Sequence, residues 1–186
     1  MKERPVVIKA ALLGAGILAG FSAWHFSQTA DQPYRGQETR DIAALSTQDV
    51  DDLLAGRGWG LALPAELNGF PDPAHVLELA DAMELTATQR AEVERIRAEM
   101  KREAVALGES YVALEASLDE AFESGAIDAD RLAQLTQEAS TFLAQLRFAH
   151  LDAHLKVTPL LSAEQIAIYN DKRGYSAGAH AHSGHH

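Results

Sequence analysis

Apolar residues recur at three- and four-residue steps along two long stretches in the second half of the chain. The first stretch follows Thr86 and stops before Gly125. Its apolar positions are Val93, Ile96, Met100, Leu107, Tyr111, Leu114, Leu118 and Phe122. This spacing predicts an amphipathic helix of about 37 residues, or roughly 55 Å at the helical rise. A second stretch with the same spacing runs from Asp128 until Pro159 breaks it.

Signals for helix starts flank these stretches. Thr86 is followed three residues later by Gln89, and Ser162 is followed in the same way by Gln165. Both pairs have the form of a capping box, in which each side chain satisfies the other residue's backbone N–H. Asp128 is a typical N-cap residue. We therefore expect helices to begin directly after Thr86, Asp128 and Ser162.

Shorter helices are predicted over residues 46–55, 74–83 and 162–174. The two long helices are joined by a tight Ser-Gly-Ala turn at residues 124–126, so they are expected to run antiparallel. A lone hairpin leaves one side of its apolar seam uncovered, which short helices and a second copy of the chain can cover. The expected fold is all-α: apart from the helix over residues 46–55, a long antiparallel helical hairpin with one short flanking helix at each end makes a four-helix domain, present as a homodimer.

The pattern of the N-terminus predicts an export signal. Lys2, Arg4 and Lys9 precede or enter an apolar stretch over residues 6–26. Basic residues stay on the cytoplasmic side, so everything after this stretch is expected to be exported. Small residues suited to signal cleavage are poorly placed, which favours an uncleaved anchor in the inner membrane facing the periplasm. The alternative is a cleaved signal peptide and a periplasmic protein.

These features divide the chain into four parts. Residues 1–30 are the signal anchor or transmembrane segment, and residues 31–73 are a tether followed by a Gly/Pro-rich wrapping segment. Residues 74–175 form the helical hairpin domain, and residues 176–186 form a flexible histidine-rich tail. Large apolar side chains indicate that the wrapping segment packs on the core: Trp59, Leu61, Leu63 and Phe70.

Composition excludes several classes of function. The chain has 16 Lys and Arg against 27 Asp and Glu, a net charge of −11, which argues against nucleic-acid binding because phosphate must be neutralised by basic residues. It has no cysteine, so disulfides, thiolate metal sites and thiol catalysis are excluded. No catalytic sequence motif is present, and its carboxylates are scattered. We expect that the protein is not an enzyme.

The two capping boxes also carry a family resemblance. Residues 85–89 read LTATQ and residues 161–165 read LSAEQ, each at one end of the predicted hairpin. With the stretch over residues 150–175, they resemble the Spy/CpxP family of periplasmic proteins, whose hallmark is a repeated LTxxQ motif. The similarity is greatest to members described as heavy-metal sensors or heavy-metal resistance proteins. It implies an all-helical, cradle-like homodimer.

The resemblance leaves two roles open. One is a metal sensor or buffer that responds to metal stress through a membrane-bound signalling partner. The other is an ATP-independent chaperone that holds unfolded client proteins. The histidine-rich tail and the predicted anchor favour sensing, because a diffusing chaperone gains little from a tether.

Two histidines on the second long helix are candidate metal ligands. His150 and His154 lie one helical turn apart, so their imidazoles project from the same face. Measured from Leu146, they lie at the border of the apolar face, where a ring is expected to be half covered. From spacing alone they are either ligands or ordinary amphipathic residues. The resemblance favours ligands, because metal-sensing relatives place a ligand pair on this helix.

Further ligands are expected from the predicted helix over residues 74–83 and from the C-terminal tail. His75 and Glu78 can meet His150 and His154 if their helix folds back beside the second long helix. The metal would be a divalent transition ion, Zn²⁺, Ni²⁺, Co²⁺ or Cu²⁺, since imidazole suits all of these. Four further histidines form a separate tract expected to bind metal weakly: His180, His182, His185 and His186.

Overall fold

A computed structural model describes residues 33–175, and within that range the chain is helical, with no strand and one isolated bridge between Ile42 and Leu45. This confirms the predicted all-α class. In chain order the segments are α1 Thr47–Leu54, α2 Leu63–Glu66, α3 Pro73–Glu78, α4 Ala87–Glu123, α5 Ala129–Val157, a 3₁₀ turn Thr158–Leu160, and α6 Ala163–Arg173. All of them belong to one compact unit that begins at Gly36.

Two predicted features lie outside the described residues: the membrane segment at residues 1–30 and the tail at residues 176–186. Between residues 33 and 175, no helix combines the length and the apolar character that a bilayer crossing requires.

The long helices and α6 begin at the predicted residues. Before α4, the Thr86 side chain accepts from the backbone N–H of Gln89, and Gln89 Oε1 accepts from the backbone N–H of Thr86. Ser162 and Gln165 form the same capping box before α6. Asp128 caps α5. These side chains satisfy N–H groups that have no partner inside the helix, which is why the starts are set locally.

The glutamines of the two capping boxes also bond to each other. Gln89 Nε2 donates to Gln165 Oε1 at 2.9 Å, and Gln165 Nε2 donates to Gln89 Oε1 at 3.2 Å. Gln89 Nε2 also donates to the carbonyl of Leu160, just after α5. The start of α4 therefore lies beside the end of α5. Since the two helices pack on each other and are joined by a short turn, they run in opposite directions.

The helix predicted over residues 74–83 is shorter than expected. The α3 helix ends at Glu78, and Glu84 adopts a left-handed backbone conformation with φ of 50°. Residues two apart lie on opposite sides of a helix. Met83 is nevertheless buried in the same core cluster against which Leu77 and Leu79 pack.

Two apolar clusters form the core along α4 and α5. One cluster lies at the start of α4 and the end of α5, away from the connecting turn. It contains Val76, Met83, Val93, Ile96, Ala153, Val157, Leu161 and Tyr169. The cluster further along contains Ile42, Leu45, Leu53, Ala104, Tyr111, Ala139 and Leu146. Gly108 allows α1 to approach α4, because a Cβ atom there would lie 2.3 Å from the carbonyl oxygen of Leu53.

The wrapping segment packs on the helices as expected, with one exception. Trp59 packs on the second cluster, and Phe70 is half-buried. Leu63, in contrast, is exposed. It begins the single turn of α2, whose buried residues are Ala65 and Glu66. A carboxylate therefore occupies the buried side of this turn, where the apolar pattern suggested a leucine.

The outer half of the helix pair is the half next to the turn at residues 124–126, and no other helix packs on it among the described residues. Between Tyr111 and Leu135 no residue of the chain is buried, and Phe122 is 56% exposed. No short helix of the described residues covers this part. Its apolar residues are half-buried or exposed: Val112, Leu114 and Leu118 are partly covered, whereas Phe122 and Leu132 are exposed.

Candidate metal centre

Both candidate histidines of α5 are buried, not half-covered as the helical pattern predicted. His150 is 3% exposed and His154 is 2% exposed. The pattern placed them correctly on one face, but the residues that lead from α2 into α3 cover that face. The carbonyl of Phe70 and the side chain of Asp72 both reach His154 from this segment.

The contacts of His154 define which ring nitrogen is available. Its Nδ1 lies 2.7 Å from the carbonyl oxygen of Phe70. A carbonyl only accepts hydrogen bonds, so Nδ1 carries a proton and donates it. In the neutral ring the lone pair is then on Nε2, which lies 3.6 Å from Asp72 Oδ2. This is the orientation that metal-binding histidines usually have, with one nitrogen fixed by a carbonyl and the other free.

His150 has no hydrogen bond to satisfy its buried nitrogen. Its Nε2 is fully buried and has no hydrogen-bond partner among residues 33–175. Burial lowers the pKa of His150, and Asp72 opposes part of that effect, while His154 adds to it. A neutral imidazole with an unpaired nitrogen is the form that binds metal ions.

Asp72 is placed by the start of α3. Its Oδ1 accepts from the backbone N–H groups of Ala74 and His75, at 2.7 and 3.1 Å. That capping role directs the other oxygen, Oδ2, toward His154. Oδ1 also lies 3.8 Å from Nδ1 of His75, so one carboxylate stands between histidines of α3 and α5.

His75 contacts a second carboxylate, Glu66. Its Nδ1 lies 3.4 Å from Glu66 Oε1, and Glu66 Oε2 lies 4.0 Å from Nδ1 of His154. Glu78, the carboxylate expected from the sequence, is exposed, and its side chain makes no hydrogen bond or ion pair with any of residues 33–175. The carboxylates beside the histidines are therefore Glu66 and Asp72, which the sequence-based hypothesis did not include.

Buried Glu66 is held by hydroxyl donors. Tyr169 Oη donates to both of its oxygens, at 2.6 and 2.8 Å, and Tyr175 Oη donates at 3.0 Å. Burial raises the pKa of Tyr169, and the hydrogen bond to Glu66 raises it further. Arg173 lies 3.5 Å away and supplies positive charge. These partners allow a carboxylate to be buried that would otherwise be costly to desolvate.

The cluster contains donor atoms of the right kind, but not in a closed coordination shell. As placed, no three His, Asp or Glu side chains among the described residues form a group able to hold a metal ion. The closest pairing is that of His154 Nε2 with Asp72 Oδ2, two acceptor atoms that face each other. Such a contact is favourable only with a proton or a cation between the two atoms.

A sequence signal existed for one of the two missed carboxylates. Asp72 precedes Pro73, and Asp followed by Pro is a common start of a helix, which places the carboxylate near the residue three positions later, His75. No local signal marks Glu66, which lies in the Gly/Pro-rich segment and approaches the site only through the fold.

Comparison with known proteins adds no relative: no family model, no curated protein and no solved structure matches the chain. The resemblance to the Spy/CpxP family therefore rests on the repeated motif and the helical pattern. The four tail histidines lie outside the described residues.

Proposed function

We propose that this protein binds a divalent transition-metal ion through His150 and His154, assisted by Asp72 and His75, and that it acts as a periplasmic metal sensor or resistance protein. The observation that carries the proposal is the facing pair of His154 Nε2 and Asp72 Oδ2, next to the unpaired Nε2 of His150.

The spacing of this pair suits a bound ion. Zinc bonds of about 2.0–2.1 Å in a tetrahedral arrangement separate two ligand atoms by about 3.3 Å. His154 Nε2 and Asp72 Oδ2 are 3.6 Å apart, close to that separation. With the side chains of His150 and His75 turned toward this pair, the set would comprise three nitrogens and one oxygen. Zn²⁺, Ni²⁺, Co²⁺ and Cu²⁺ all accept these ligand types.

The position of the cluster suits a sensor. Asp72 and His75 belong to the start of α3, whereas His150 and His154 belong to α5. A metal ion bound by all four would fasten the wrapping segment to the long helix pair. In the proposed assembly, two copies of a four-helix, cradle-like hairpin form a homodimer, anchored in the inner membrane, and metal occupancy is passed on to a membrane-bound signalling partner.

The test is calorimetric titration of each of the four metals into protein lacking residues 176–186, so that the tail does not contribute. Asp72→Asn keeps an N-cap residue and removes the charge, and it should weaken binding by at least about tenfold. The double variant His150→Ala, His154→Ala should lose the high-affinity component.

Glu78→Gln is the matched control, because Glu78 is the nearby carboxylate that contacts none of the histidines, and it should leave affinity unchanged. Circular dichroism of each variant checks that the helices remain. Binding that is unchanged in the double variant would refute the proposed site.

A chaperone of the Spy/CpxP type is the second candidate. Its support is the apolar surface on the outer half of the helix pair, where Phe122 and Leu132 are exposed. Such a surface can hold unfolded client proteins. Strong suppression of client aggregation that is the same with and without Zn²⁺ would favour this function over sensing.

A further inference from the structure

A cavity of about 300 Å³ lies beside His150, on the side of the site that faces α4. Its walls come from α3, α4, α5 and the glycine-containing turn after α1. The polar residues that line it are Arg57, Asp72, His75, Arg97, Lys101 and His150. A volume of this size is at the lower end of the range for small-molecule sites.

The charge on these walls is mostly positive, although the whole chain has a net charge of −11. Arg57 is paired with Asp52. The side chains of Arg97 and Lys101 make no hydrogen bond or ion pair with any residue between 33 and 175. They also lie four residues apart on α4, where two like charges destabilise a helix unless something neutralises them.

The one acid on the walls does not neutralise them. Asp72 Oδ1 is occupied by the backbone N–H groups at the start of α3, and Oδ2 faces His154. Two cations, Arg97 and Lys101, are therefore left facing the cavity without a carboxylate partner.

The wall contributed by α5 consists of His150. Its imidazole carries no negative charge, so no anionic group faces Arg97 and Lys101 from this helix.

We infer that this cavity is a binding site for a small oxyanion, such as phosphate, sulfate or a carboxylate, held by Arg97 and Lys101 with Arg57 at its edge. Guanidinium and ammonium groups form charge-assisted hydrogen bonds with such anions. This goes beyond metal binding, because Arg97 and Lys101 take no part in the proposed metal centre. Where His150 binds a metal ion, the ion adds positive charge to the same wall, so the two sites are compatible.

The experiment is calorimetric titration of sodium phosphate into the full-length protein in a non-ionic detergent, after removal of metals on a chelating resin. A pH of about 8 keeps the tail histidines neutral, so that they do not bind phosphate. Sodium chloride at matched ionic strength measures simple charge screening, and sodium acetate tests whether a carboxylate suffices.

We expect saturable phosphate binding that Arg97→Gln and Lys101→Gln each weaken by roughly tenfold or more, the loss expected for a hydrogen bond to a charged group. Arg102→Gln is the matched control: Arg102 is also an exposed, unpaired arginine of α4, but it does not line the cavity. Its affinity should stay within about twofold of wild type.

Equal responses to phosphate and chloride, or an equal loss of affinity in Arg102→Gln, would overturn the inference. The outcome is separable from that of the metal proposal. Protein that binds zinc but shows no saturable phosphate response would overturn the anion site and leave the metal centre standing. Phosphate binding without zinc binding would do the reverse.

Discussion

The hydrogen-bonded glutamines of the two repeated motifs give a sharp test of the architecture. Gln89 and Gln165 exchange two side-chain amide hydrogen bonds, although 76 residues separate them in the chain. Each side chain also donates to a backbone carbonyl near the other motif: Gln89 to that of Leu160, and Gln165 to that of Met83. We predict that Gln89→Ala and Gln165→Ala are energetically coupled.

The magnitude follows from the number of bonds that each change removes. Gln89→Ala removes the two amide–amide bonds, the bond to Leu160 and the capping bond to Thr86. At a net value of about 1 kcal/mol for each bond, the single change should lower the free energy of unfolding by about 2–4 kcal/mol. The two amide–amide bonds are lost in either single variant, so the coupling energy should be about 1–2 kcal/mol.

The assay is urea unfolding followed by far-UV circular dichroism for wild type, both single variants and the double variant. Gln145→Ala is the control partner. Gln145 is exposed, lies in the middle of α5 and makes no side-chain hydrogen bond within residues 33–175. Its effect should add to that of Gln89→Ala. If Gln89→Ala and Gln165→Ala were themselves additive within about 0.5 kcal/mol, the paired amides would contribute nothing and this reasoning would be wrong.

Three further predictions concern packing, the buried carboxylate and pH. Gly108→Ala should lower stability by about 1–3 kcal/mol despite the better helix propensity of alanine, because its Cβ would lie 2.3 Å from the Leu53 carbonyl oxygen; a thermal midpoint at or above wild type would contradict this. Tyr169→Phe removes the shortest donor to buried Glu66 and should lower the free energy of unfolding in urea by about 1.5–3 kcal/mol. The lowered pKa of His150 means that the unfolded chain binds this proton more readily. The resulting stability is present above the ordinary value of 6.5 and is lost as pH falls toward the folded pKa, so His150→Leu should flatten the decline in stability below that pH.

Helix boundaries were predictable where a side chain a few residues away decides them. Thr86, Asp128 and Ser162 each satisfy a backbone N–H of the helix that follows, and that bond needs no distant partner. The end of α3 was not predictable in this way. Its C-cap residue is Leu79, and neither a glycine nor a proline follows before Thr86, so no local residue type marks the stop.

The candidate site was predictable only in part, for the same reason. Periodicity placed His150 and His154 on one face of α5, but their burial depends on the segment between α2 and α3 crossing that face. A helical pattern reports which residues share a side, not what covers that side. For this reason Glu66, which lies in a segment without a regular pattern, was not predicted as a site residue. Asp72 could have been recognised from its place before Pro73.

The repeated motif connects the local helix starts with the arrangement of the candidate site. As a local signal it predicts a capping box, and by itself a capping box implies only two unrelated helix starts. In the fold, the side-chain NH₂ group of each glutamine also donates to the side-chain oxygen of the other. These bonds hold the start of α6 against the start of α4. Tyr169 lies one turn after Gln165 on α6, and its hydroxyl holds Glu66 beside His75. The motif therefore bears on the candidate site without contributing a ligand: loosening the paired glutamines should free α6, and with it the hydroxyl that keeps a buried carboxylate in place.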